Sequence, residues 1–144
     1  MSEQSFENHT KFIPSYHFFA LPVFAINFAW AVYRLWKLGI SFEGILGVIL
    51  AAAFVVLAFR ARVFALAVQD RVIRLEEKLR YERVLPADLR PRIGEFELAQ
   101  FVSLRFACDA ELPALARNVL DEKLTKRKAI KQLIKNWKPD YLRA

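Results

Sequence analysis

The chain is 144 residues long, one domain's worth at most, and carries 22 Lys+Arg against 15 Asp+Glu for a net charge of +7. At 56% apolar, with 13 Phe, it is too hydrophobic to be disordered as a whole, and a single cysteine, Cys108, excludes a disulfide scaffold or a metal site built on cysteines. An ordinary charged fraction of 26% beside that apolarity implies segregation, with one part of the chain greasy and another salted.

Residues 1–15 carry Glu3, Glu7 and a single Lys11, which is not the basic leader of a secretory signal, so the apolar run behind them is expected to be retained. That run, Tyr16 to Trp36, is 21 residues long with one formal charge, Arg34, in its last turn. A second run, Phe42 to Phe59, is 18 residues long with Glu43 near its start. A helix rises ~1.5 Å per residue and bilayer hydrocarbon is ~30 Å thick, so both runs reach across it or nearly so. A chain this short cannot wrap two such helices on all sides as a soluble core. Tyr16, Trp30, Tyr33 and Trp36 are rings suited to membrane interfaces. Only KLGIS joins the runs, so antiparallel neighbours, a transmembrane hairpin over residues 16–59, are expected. Arg60, Arg62, Arg71 and Arg74 outnumber Arg34 and Lys37, which places both termini in the cytoplasm under the positive-inside rule. Pro22 is expected to kink the first helix and free a carbonyl, and Asn27 to bridge helices.

Residues 60–83 contain neither Gly nor Pro and continue with helix formers, so one helix is expected from about Phe42 to about Arg83. Along it Gly44, Gly47, Ala51, Phe54, Ala58, Ala61, Ala65, Val68, Val72, Leu75 and Leu79 recur at spacings of 3 and 4. That is the a/d seam of a coiled coil. Within the second span the small residues suit close helix approach. Beyond it, over residues 60–84, the seam turns to Val and Leu among charged neighbours. With Val72 at position a, Arg71 is g and Glu76 is e, so the two would meet across a parallel homomeric coil. Asp70–Arg74 and Glu76–Arg80 have the i,i+4 spacing of ion pairs along one helix. Leu66 and Ile73 form a second apolar face, available to the C-terminal helices.

Residues 85–144 form a basic helical cytoplasmic domain by this reading. From residue 60 onward the chain holds 19 Lys+Arg against 12 Asp+Glu, which accounts for the whole net charge of +7. LPADLRPRIGEF (85–96) reads as a loop, broken by two prolines and a glycine. Three short helices follow, over about 97–107, 110–122 with Asp109 as N-cap, and 126–137 with Thr125 as N-cap. In the last, Ile130, Leu133, Ile134 and Trp137 share a face while Lys126, Arg127, Lys128, Lys131, Lys135 and Lys138 make the rest basic. Such a helix suits anionic headgroups or an acidic partner. Arg60, Arg62, Lys128, Lys131, Lys135 and Trp137 are the residues assigned to that surface.

The segments YHFFALPVFAINFAW, ARVFALAVQDRVIRLEEKLR, LPADLRPRIGEF, SLRFACDAELPALA and RKAIKQLIKNWKPDYLR resemble a family of small bacterial two-span membrane proteins of unknown function. Some of its members carry the label ABC transporter permease. The resemblance covers nearly the whole chain and implies a two-span protein of the bacterial inner membrane with a cytoplasmic tail. It does not imply transport, because two spans make no translocation path unless many copies assemble.

The expected fold is therefore an all-α membrane protein: a two-helix transmembrane hairpin, a second span continuing as a long cytoplasmic helix, and a small bundle of short helices. The histidines, His9 and His17, both precede or begin the first span, and no phosphate loop, zinc motif or nucleophile elbow occurs. No enzyme activity, catalytic residue, cofactor or metal is expected, and Cys108 reads as a structural thiol. The expected function is a non-enzymatic, self-associating scaffold or accessory subunit of a membrane assembly. The alternative is a homo-oligomeric channel with Arg60 and Arg62 at its mouth. The partners are anionic lipids, further copies of the chain and a larger membrane complex. Nucleic acid is not among them, since no recognition motif accompanies the charge.

Overall fold

The computed structural model describes residues 13–140, so the N-terminal tail, including His9, lies outside the described residues except at its end. The described chain is mostly helical, with one isolated antiparallel bridge between Ala107 and Trp137. A π-helical segment, Ser15–Ala20, runs into α1 (Leu21–Leu38), and α2 spans Phe42–Val84. A 3-10 helix (Arg90–Glu95) precedes α3 (Leu98–Leu104), α4 (Leu112–Asp121) and α5 (Arg127–Gln132). The helix Ser15–Leu38 and α2 are both long and apolar enough to cross a membrane. Two compact units meet between Leu66 and Ala67.

In the first unit Pro22 has no N–H to return to the preceding turn, and the backbone before it takes a five-residue register. The Leu21 N–H donates to the Tyr16 carbonyl. The entry to α1 ahead of the proline is thus π-helical. α1 ends at Gly39, whose φ of +85° disfavours any residue with a Cβ. Contacts between Ser15–Leu38 and α2 descend along α2 as they ascend α1. The Tyr16 hydroxyl donates to the Ala58 carbonyl at 2.9 Å. Phe24 and Phe54 stack at 5.6 Å, within 4° of parallel. Leu35 Cδ1 lies 2.8 Å from where a Cβ on Gly44 would stand.

In the second unit the C-terminal part of α2 presents Ile73, Glu77, Arg80 and Tyr81 inward. Around Tyr81 gather Leu85, Leu89, Phe96, Phe101, Phe106, Leu112, Val119 and Ile130 as the core. Tyr81, Phe96 and Phe101 form a ring triangle with centroids 5.2–5.6 Å apart. The stretch expected as a plain loop, 85–96, buries Leu85, Leu89, Ile93 and Phe96, spaced 4, 4 and 3 apart, and coils over Arg90–Glu95 as a 3-10 helix despite Pro91 and Gly94. Proline at the first turn of such a helix loses a donor that would have had no partner there.

The three short helices are present but shorter than expected. α3 opens on a capping box in which Gln100 Oε1 accepts from the Glu97 N–H at 2.7 Å. It stops at Leu104 because residues 106–108 pair with 136–138: the Lys138 N–H donates to the Phe106 carbonyl at 2.7 Å, and the Cys108 N–H to the Asn136 carbonyl at 3.1 Å. Asp109 does not cap α4; the N-cap is Glu111, with no side-chain cap bond, and Asp109 turns to Arg80 instead. Thr125 does not cap α5, where Lys126 is the N-cap. The helix expected to 137 ends at Gln132, and Glu111 accepts from the Lys135 and Asn136 N–H groups at 3.3 and 3.2 Å. Ile130 and Ile134 are buried, whereas Trp137 reaches its partner from the bridge and not from a helix face.

Candidate functional site

The a/d seam of α2 divides in two. In the first unit its a positions turn inward: Ala51 and Ala58 are buried, and Gly44 is half-buried beside Leu35. The d positions Gly47, Phe54 and Ala61 are exposed, as is Ala65. That segment's small residues thus pack partly within one chain. In the second unit both columns face outward, and Val68, Val72, Leu75 and Leu79 are 48–62% exposed. At ~100° per residue the centre of this stripe lies about 150° around α2 from the face holding Ile73, Glu77, Arg80 and Tyr81. The helix therefore commits one face to its own domain and leaves an apolar stripe open. Exposed Arg71 and Glu76 flank that stripe on opposite sides.

Behind α2 sits an ion cluster that no spacing in the sequence announces: Glu77 and Arg80 are buried and Asp109 is exposed at its rim. Arg80 is 4% exposed. Its Nε donates to Asp109 Oδ1 at 2.7 Å, its Nη2 to the Ala107 carbonyl at 2.6 Å, and its Nη1 to Glu77 Oε2 at 3.2 Å and the Arg105 carbonyl at 3.4 Å. A planar fork of five donors suits this spread of acceptors, and a lysine could not fill them. The expected Glu76–Arg80 pair is thus replaced by Glu77–Arg80 and Asp109–Arg80. Asp70 likewise pairs with Arg127 of α5, at 3.3 Å, and not with Arg74. Burial pushes the Glu77 carboxyl above its usual range against the pull of Arg80. The hydrogen bond from Arg80 holds Asp109 below it. Burial, then the Glu77 charge, pushes the Tyr81 hydroxyl up. The cluster ties α2 to the 105–109 segment.

The basic surface is split as well. Arg60, Lys128 and Lys135 are exposed and Arg62 is half-buried. Trp137 packs on Phe106 with centroids 4.8 Å apart, and the Lys131 ammonium lies 5.0 Å from the same ring. Lys131 and Trp137 therefore serve the domain's own packing, and Arg105, 4.6 Å from Phe106, pairs with Asp140 at 3.4 Å. Cys108 is a half-buried free thiol. His17 Nδ1 accepts the Ile13 N–H at 3.1 Å, closing the first turn of the apolar helix. Among the described residues no three His, Cys, Asp or Glu side chains gather as a metal site.

A family model spans all of these features, matching residues 1–144. The chain belongs to DUF6526, a family of unknown function. No curated protein and no solved structure matches it. Whole-chain membership means that the apolar helices, the open stripe and the ion cluster fall within one family unit.

Proposed function

We propose that this chain is a non-enzymatic integral membrane protein that self-associates as a scaffold or accessory subunit of a membrane assembly. Ser15–Leu38 and the first part of α2 cross the membrane as an antiparallel hairpin, and the domain from residue 67 onward lies in the cytoplasm. The reading is supported by the contact order along the two apolar helices and by the arginines that follow the second span. Exposed Arg60, Lys128 and Lys135 favour anionic headgroups on that side.

The observation that carries self-association is the Val68, Val72, Leu75, Leu79 stripe, open on a helix whose opposite face is filled. A second copy of the same stripe covers it with Arg71 placed toward Glu76. The test is cross-linking in native membranes with Val72→Asp and Leu75→Asp, both at exposed positions the domain's own core does not use. The expected outcome is loss of the oligomer with the helical content unchanged. An oligomer of undiminished size would sink the stripe as the assembly surface.

A further inference from the structure

A cavity of 390 Å³ opens where the two apolar helices are joined. Arg34 and Leu35 of α1 line it together with Glu43, Gly44 and Gly47 of α2. Its volume falls in the ~300–1,000 Å³ range of small-ligand clefts. Arg34 and Glu43 contribute opposite charges to one wall system, yet neither has an ion-pair partner among the described residues. Gly47 lines it beside open space, since a Cβ there would meet nothing within 4 Å. The cleft thus brings one charge of each sign together with apolar and small residues.

We propose that this cleft holds one phospholipid whose headgroup carries both a phosphate and a primary ammonium. Arg34 takes the phosphate oxygens, which match its planar fork. Glu43 takes the ammonium, and the acyl chain runs past Gly47. A ligand bearing both signs answers both side chains. An anionic lipid would leave the Glu43 carboxylate facing the bound negative charge. The site rests on the membrane-spanning reading above, which puts Arg34 and Glu43 at an interface and Gly47 within the hydrocarbon.

The experiment uses the full chain in nanodiscs of equal parts phosphatidylethanolamine and phosphatidylglycerol, followed by gentle release and native mass spectrometry. The expected result is one retained phosphatidylethanolamine per protomer, in preference to phosphatidylglycerol. Gly47→Leu, which adds bulk where there is open space and favours helix, is expected to lower retention about tenfold without loss of helical content. Glu43→Gln is expected to shift the preference toward phosphatidylglycerol, and Arg34→Gln to weaken retention of both. Equal retention of both lipids by the native chain, or adducts unchanged by Gly47→Leu and Glu43→Gln, overturns the site. So does a Gly47→Leu chain that changes oligomer mass while keeping its lipid. A chain that needs no detergent for release from cell membranes overturns the membrane reading itself, and the site with it.

Discussion

At the scale of single residues, Arg80 decides most. Its guanidinium joins Glu77, Asp109 and two backbone carbonyls at 2.6–3.4 Å; Glu77 is buried with it, while Asp109 is exposed. Removing one partner of a buried pair leaves the other charge without compensation, at a cost of about 3–5 kcal/mol. Arg80→Ala is therefore expected to destabilise the C-terminal unit by that amount in denaturant unfolding, and Arg80→Lys to recover only part of it. A loss under 1 kcal/mol, the level of a surface pair, would contradict the cluster. Glu77 adds a pH signature. Its folded pKa lies above the unfolded value of 4.5, so the native state holds the proton more firmly and its contribution to stability falls as pH rises through that window. The unfolding free energy of Glu77→Gln relative to the native chain is expected to increase from about pH 4.5 upward. Asp109 acts with the opposite sign: its lowered pKa stabilises above 3.8 and is lost as the pH falls below it. A Glu77→Gln difference that stays flat with pH would refute the assignment.

At the scale of elements, α2 shows two readings of one helix. The 3-4 spacing predicts a seam, and its residues Val68, Val72, Leu75 and Leu79 lie open along the second unit. Which copy or domain covers each turn is not contained in the spacing, because a and d residues pack equally well on any apolar surface. Hence Ala51 and Ala58 went to the chain's own interior. Helix ends tell a similar story. α4 closes with Lys123 at φ +50°, the Leu124 N–H donating to the Val119 carbonyl at 3.0 Å and the Lys123 N–H to the Leu120 carbonyl at 3.2 Å. That is a Schellman turn with a lysine where glycine is favoured. Lys123→Gly is expected to raise stability by about 1 kcal/mol, the left-handed penalty it relieves. An unchanged or lowered melting temperature would contradict it.

At the scale of the whole molecule, the assignment of sides can be tested directly. Ile40 lies exposed between the two apolar helices and Ala87 is exposed in the C-terminal unit. In a Cys108→Ser background, Ile40→Cys is expected to react with a membrane-impermeant maleimide in intact cells, and Ala87→Cys only after permeabilisation. The reverse pattern would invert the topology, and labelling of both in intact cells would remove it.

The sequence by itself determined the helical class, the two long apolar helices, the continuity of α2 to within a residue of its end and the 3-4 spacing of its Val and Leu stripe. Each of these is a local or periodic property, written in runs and spacings that any tertiary setting must respect. Only the tertiary structure decided the pairing of charges and the fate of the chain between helices. Arg80 meets Asp109 across 29 residues, and the 106–108 segment pairs with 136–138 across a similar gap. Such choices depend on which desolvated donors and acceptors come together when the core closes, and no spacing along the chain encodes that. Asp109 shows the competition plainly. Its local signal is a helix cap worth ~1 kcal/mol, and a buried guanidinium outbid it.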